Sequence, residues 1–265
     1  MDYPFSGTST KVSKRVQFIN KILRRLKFDY ELKPAPRVGK DFITAEQVVN
    51  LYHLLSGILF YKVEGAIVEL GAHIGQSAII IQSIIENMNS QKPFIVYDKF
   101  DLKVNGIADK EIFIDNFKAS GYRIPEMKQG LMEQIVPGEL PLKIAFAHID
   151  LGTGFKEGHQ KLIDHCLKSI YPRLSPGGVC MLMDYHDNMV TQKGLDENPG
   201  IKKACDNFFR DKAEKVFVLY GNQYSHGFFR KNIDEAISLS PVNLTKKRTD
   251  EFIVSKQRLS PLRED

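Results

Sequence analysis

Two hydrophobic periods divide this chain. Val12, Val16, Ile19, Leu23 and Leu26 recur at helical spacing among lysines and arginines, predicting an amphipathic helix whose charged face meets water. Residues 32–42, LKPAPRVGKDF, are rich in helix breakers and read as a joint. Thr44 then stands three residues before Gln47, the spacing of a capping box, and the apolar run from Val48 to Phe60 continues as a helix. Residues 1–42 are therefore expected to form an N-terminal helical arm.

Beyond Phe60 the pattern changes. Short apolar runs, IVEL from Ile67, FIVY from Phe94, KIAFAHID from Lys143 and VCMLMD from Val179, alternate with stretches of helical period such as residues 76–87 and 160–171. Strands buried on both faces read as continuous apolar runs, so this alternation predicts parallel strands joined by crossover helices. LSPGG, residues 174–178, reads as a turn feeding the strand at Val179. KVFVLYG (215–221) and HGFFRK (226–231) read as a hairpin closing the sheet edge. Residues 43–240 thus make one doubly wound α/β domain, and the polar stretch 241–265 a less ordered tail.

Composition narrows the class. A chain of 265 residues with 43% hydrophobic side chains can bury one large core. No apolar run approaches the length of a membrane span and the N-terminus lacks an apolar leader, so a cytoplasmic protein with no membrane partner is expected. Cys166, Cys180 and Cys205 are odd in number and form no C-x-x-C pair, which argues for core thiols rather than disulfides or zinc. The net charge of +5 is modest. Its basic excess lies on the N-terminal helix, where it reads as a solvated face, and no nucleic-acid-binding signature is recognisable, so nucleic acid is not an expected partner.

The candidate chemistry starts at VELGAHIGQSAII, residues 68–80: a strand ending near an acidic residue, a glycine turn, and a helix. In doubly wound sheets ligands bind beyond the carboxyl ends of strands, where glycine lets backbone approach closely. Gly71 and Gly75 meet that need. Their G-x-x-x-G spacing is not the G-x-G-x-x-G of a pyrophosphate turn, and no phosphate loop occurs, which argues against NAD and ATP. FIVYDKF places Asp98 at the end of the next strand, where a carboxylate can accept hydrogen bonds from ribose hydroxyls.

E-L-G-x-x-x-G-x-S at residues 69–77, the acidic strand end at Asp98, and Y-P-R-L-S-P-G-G at 171–178 resemble the class I S-adenosylmethionine-dependent methyltransferases. More narrowly, the succession VELGAHIGQS, VYDKF, GLMEQIVPGELP (130–141), HID, YPRLSPGG, MDYHD and HGFFRK is similar to the macrocin O-methyltransferase (TylF-like) family, over about residues 60–231. That family methylates sugar hydroxyls in natural-product and polysaccharide pathways. The resemblance implies a Rossmann-like, mostly parallel seven-stranded sheet with an antiparallel edge hairpin. It also implies S-adenosylmethionine as cofactor and a small-molecule acceptor, a sugar or nucleotide-linked sugar. Glu69 and Gly71 would line the methionine end of the cofactor, in a turn that includes His73, Gly75 and Ser77. Asp98 would hold the ribose, and Gly130, Leu131 and Met132 would lie beside the adenine. The family's divalent metal, Mg²⁺, would fall to Asp150, which also borders the cofactor, and to Asp184. Gly152 and Met183 depart from this pattern by standing where the family has two further aspartates.

The remaining task is to take a proton from the acceptor hydroxyl. Either a metal held by Asp150, Asp184 and Asp187 lowers that hydroxyl's pKa, or a histidine accepts the proton. His148, His186 and His226 are the candidates, with His73 in the glycine turn a further pocket-lining residue, and His186, just beyond the fifth strand, is best placed. Asp150, Asp184, His186 and Asp187 together flank the expected opening, with residues 191–200 as a candidate lid. A phenol, an amine or a phosphoramidate-type group would suit the same fold, and Gly152 and Met183 leave room for a non-catalytic cofactor-binding scaffold. The apolar stripe of the arm needs a surface to cover, either the acceptor pocket or a second subunit in a homo-oligomer.

Overall fold

The elements form where the periodicity places them, with informative exceptions. The computed structural model describes residues 14–28, 43–152, 158–190, 198–221 and 225–232. Every one of them lies in a single compact unit, Met1–Asn232. The joint at 32–42 and the tail at 241–265 lie outside the described residues.

Helix α1 (Lys14–Arg25) is amphipathic as expected; of its stripe Ile19 is 41% and Leu26 62% exposed, while Leu23 is half-buried. Helix α2 (Ala45–Phe60) begins with the predicted box: the Gln47 amide donates to Thr44 Oγ1 and the Thr44 amide donates to Gln47 Oε1. Its Leu51, Leu55 and Ile58, at i, i+4 and i+7, are fully buried. At ~1.5–3 kcal/mol for each such side chain, this stripe does more to fix the helix than its intrinsic propensity.

Strands β1 (Ala66–Leu70), β2 (Phe94–Asp98), β5 (Glu126–Gln129), β6 (Ile144–Ile149), β7 (Leu174–Leu182), β8 (Phe217–Leu219) and β9 (His226–Arg230) build one sheet in the order β5-β2-β1-β6-β7-β9-β8. The first five are parallel; β9 runs antiparallel to β7 and to β8, closing the edge with the expected hairpin. Helices α2, α3 (Gln76–Asn87) and α4 (Asp109–Ser120) cover one face. Helices α5 (Met132–Ile135), α6 (His159–Ile170) and α7 (Gly200–Phe208) cover the other. Strand order reverses between β1 and β6, and it is there that the carboxyl ends open a crevice.

LSPGG is not a free turn but the start of β7, where Leu174 pairs with Ile144 before the register shifts. The Gly177 amide donates to the Lys231 carbonyl and the Lys231 amide to that of Gly178, so the chain after β9 draws this glycine stretch into the sheet. Strand β5, sequence EMKQ, carries no apolar run because it is the exposed edge. A small hairpin, β3 (Lys103–Val104) with β4 (Ile107–Ala108), and α4 complete the segment between β2 and β5. All three cysteines are buried and free. No described helix is long and apolar enough to cross a membrane.

Candidate active site

The glycine turn is fixed by one close approach and one carboxylate. Gly71 follows β1 with φ +85°, and a Cβ there would lie 2.1 Å from the Asp150 carbonyl oxygen at the end of β6. Only glycine lets the two strand ends sit side by side. The amides of Ala72 and His73 both donate to Asp98 Oδ2, at 2.6 and 2.9 Å, and the Phe100 amide donates to Oδ1 at 2.8 Å. Asp98 thus ties the β1 turn to the end of β2. An ionised carboxylate offers about four lone-pair sites, so holding the turn leaves room for one hydroxyl donor. His73 adopts φ +46°, with Nδ1 3.8 Å from Asp109 Oδ2. Burial raises the pKa of the Asp109 carboxyl, with the Asp98 charge adding to the rise and two backbone amides and His73 opposing it.

A cavity of about 790 Å³ opens over this turn. It is of the size that small ligands occupy. Of the residues singled out in the sequence, Gly71, His73, Ser77, Asp98, Leu131, Met132, Asp150 and Asp184 line it. Five others do not. Glu69 is fully buried in β1 and bonds His148 Nδ1 at 2.9 Å across the β1–β6 register, so it faces the covering helices rather than a ligand. Burial works to lower the pKa of His148, yet the hydrogen bond and charge of Glu69 outweigh it and the pKa is raised. Gly75 begins α3 at φ +90°, where a Cβ would come within 2.8 Å of the Phe113 ring, and Gly130 serves a similar close contact with Ile135. His186 is 4% exposed and shares a 2.9 Å hydrogen bond with Ser225 Oγ, away from the cavity wall. Asp187 turns to Lys202, 3.7 Å away, and to the Met189 amide.

The part of the cavity wall at the ends of β6 and β7 is formed by Asp150, Asp184, Met183, Gly152 and Asn198. Burial pushes the Asp150 carboxyl up to about 7; His148 opposes the rise, and the Asp184, Glu69 and Asp98 charges add to it. Asp184 has φ +57° and accepts a 2.7 Å hydrogen bond from Asn198 Nδ2. Asn198 Oδ1 is buried with no hydrogen-bond partner among the described residues. His159 Nε2 donates to the Leu151 carbonyl at 2.6 Å, and burial lowers its pKa, which keeps the ring neutral and fixes its tautomer.

These residues do not fit a resident Mg²⁺. Among the described residues no group of three or more histidine, cysteine, aspartate or glutamate side chains stands close enough to hold a metal ion. Asp187 is drawn off by Lys202, one Asp184 oxygen is taken by Asn198, and Gly152 and Met183 supply no oxygen side chain.

Several cavity residues carried no recognisable signal. Ile43 and Gln47 enter from the start of α2, which is tied to the sheet edge where Thr44 Oγ1 donates to the Gly221 carbonyl and Asn50 Nδ2 to that of Tyr220. Asp101 comes from the segment after β2, Asp109 from the start of α4 and Glu133 from α5. Asn198 belongs to the stretch read as a lid, whose residues 191–197 lie outside the described residues.

No protein-family model matches the chain, and no curated protein matches it in sequence. Solved structures do match its fold. The chain is similar to the O-methyltransferase NovP at 15% identity and TM-score 0.56, over 71% of this chain and 80% of that one. It is also similar to CalS11, a TDP-rhamnose 3'-O-methyltransferase of calicheamicin biosynthesis, at 18% identity and TM-score 0.50, over 82% and 95% of the two chains. Cofactor-bound Rv0187 from MTB matches at 13% identity and TM-score 0.50, over 85% and 93%. The chain therefore has the Rossmann-like fold of class I S-adenosylmethionine-dependent methyltransferases, with the antiparallel strand inserted near one edge.

Proposed function

We propose that this protein is an S-adenosylmethionine-dependent O-methyltransferase acting on a hydroxyl of a small, sugar-like acceptor. One observation carries the reading: a single cavity runs from the Gly71 turn and Asp98 at the topological switch point to Asp150 and Asp184 at the neighbouring strand ends. The names of NovP and CalS11 support the reaction type, and the sugar acceptor of CalS11 supports the acceptor class.

When bound, S-adenosylmethionine supplies a methyl group already activated on a sulfonium. The backbone of Gly71 and Ala72 would admit the cofactor close to the sheet, Asp98, fixed by three amides, would accept from a ribose hydroxyl, and Leu131 and Met132 would lie beside its base. Asp150 accepts the acceptor's proton: it lies in the cavity, and a carboxyl with pKa near 7 is better matched to that transfer at neutral pH than an ordinary one. The rest of the wall holds the acceptor in line with the methyl group, where alignment lowers the barrier to a displacement.

Calorimetric titration with S-adenosylhomocysteine tests the cofactor half of this reading. Micromolar binding is expected, and Asp98→Ala should weaken it by about 1–3 kcal/mol, the scale for losing hydrogen bonds to a charged group. Absence of binding to the unaltered protein overturns the proposal. Binding without S-adenosylhomocysteine production from any sugar, phenol or amine in a broad panel would instead favour a non-catalytic scaffold.

A further inference from the structure

Helix α1 turns a row of large apolar side chains outward. Its inward side is marked by Asn20, which is buried, and by half-buried Leu23. With ~3.6 residues per turn, Phe18, Ile22 and Leu26 stand one above another at i, i+4 and i+8, and Ile19 lies beside them. Phe18 is 65% exposed, Leu26 62% and Ile22 41%, and Phe28, just past the helix, is exposed as well. Lys21 and Arg25, both exposed, border the row on one side, and Arg15 continues it towards the start of the helix.

Charge is concentrated on the same element. No acidic residue stands between Asp2 and Asp29, a stretch that holds seven lysines and arginines. Residues 1–42 contain ten of the 37 basic residues and four of the 32 acidic ones, so the net charge of +5 belongs to the arm and the rest of the chain is slightly acidic. A second copy laid on this face about a two-fold axis would set basic residues against basic ones, because such an interface repeats the same surface on both sides. A nucleic acid would answer the charge and leave Phe18, Ile22 and Leu26 in water. An anionic lipid surface answers both. Apolar side chains enter the acyl boundary, while lysine and arginine stems lie along it and carry their charges to the headgroups.

We propose that α1 is an interfacial helix that docks the protein on an anionic lipid surface, with Phe18, Ile22 and Leu26 inserted and Lys21, Arg24 and Arg25 at the headgroups. That no described helix is long and apolar enough to cross a membrane bears on spanning it, not on lying along it. No residue of α1 is among the described residues that line the cavity, so lipid docking and methyl transfer can each fail without the other.

The test is co-sedimentation of the full chain with vesicles of phosphatidylcholine, alone or mixed with phosphatidylserine. The mixed vesicles should bind at least about tenfold more tightly, since each basic side chain near an anionic surface adds to the attraction. Raising the salt from about 0.1 M to about 1 M, which shortens the Debye length from about 10 to about 3 Å, should remove most of that advantage. Phe18→Ser with Leu26→Ser, and separately Lys21→Gln with Arg25→Gln, should each weaken binding at least about tenfold at unchanged thermal unfolding, because all four side chains are exposed. The chain contains no tryptophan, so Ile22→Trp places a single reporter in the row, and its emission should move to shorter wavelength with the mixed vesicles. Equal binding to the two kinds of vesicle, binding to neither, or tryptophan emission that stays fixed on binding overturns the inference. So does a dimer that Phe18→Ser with Leu26→Ser converts to a monomer in sedimentation equilibrium, an outcome that gives the row to a second copy.

Discussion

Two adjoining parts of the cavity wall are built by different means. Around Gly71, main chain does the work: a glycine at φ +85°, three amides on one carboxylate, and two strand ends close enough that a methyl group would collide with a carbonyl. Along the Asp150–Asp184 stretch, side chains from the ends of β6 and β7 and from the segment before α7 line the cavity, and burial with neighbouring carboxylates raises the Asp150 pKa against the opposing His148. Backbone geometry tolerates few substitutions, whereas a wall of side chains can be changed residue by residue. The first part therefore suits a ligand common to many proteins of this fold, and the second suits whatever distinguishes this one.

The sharpest way to break this comparison is Gly71→Ala. The added Cβ has a backbone atom in its way at 2.1 Å and adopts a left-handed conformation, so neither rotamer change nor a side-chain shift relieves it. Loss of about 3 kcal/mol or more of folding stability is expected, with S-adenosylhomocysteine binding abolished in whatever folds. Denaturant unfolding and calorimetry read the two effects. A variant of ordinary stability and affinity would show that the strand ends can separate freely, and the contrast between a rigid and an adaptable part would be lost.

A smaller effect comes from the other part. Asp150 must be ionised to accept a proton, and burial together with the Asp184, Glu69 and Asp98 charges, opposed by His148, places its pKa at about 7. Methyl transfer should therefore be full above that pH and decline as pH falls through it, to about a tenth one unit below. Because Asp184 contributes to the rise, Asp184→Asn should move the limb towards lower pH. A flat profile between pH 5.5 and 8 in a single-turnover assay would remove Asp150 from the base role.

How much of this was legible in the sequence follows the same division. The capping box at Thr44 and Gln47, the span of α3, the four buried strands and the edge hairpin depend on neighbours along the chain, and they could be read from spacing alone. Gly71 and Asp98 were legible because a glycine turn after a strand is also a local pattern. Glu69 was misread for the opposite reason: its partner, His148, lies 79 residues away, and only the pairing of β1 with β6 brings the two together. Strand β5 escaped notice because an edge strand needs no apolar alternation, and Asn198 because nothing in a polar loop marks which residue will turn towards Asp184.

His186 gives the smallest predicted effect and the clearest test of that lesson. Its position just beyond β7 made it the favoured base, since strand ends in this fold face the ligand. Yet the chain turns at Asp184, whose φ of +57° reverses the expected alternation, and the His186 ring is delivered to Ser225 beside β9. His186→Gln should therefore cost about 1 kcal/mol of stability, the worth of one buried hydrogen bond, while cofactor affinity and the rate of methyl transfer stay within about twofold. A large fall in rate at unchanged stability and affinity would mean that the ring swings into the cavity during turnover. In that case the side-chain part would be more adaptable still, and the strand-end rule would have been right about His186 after all.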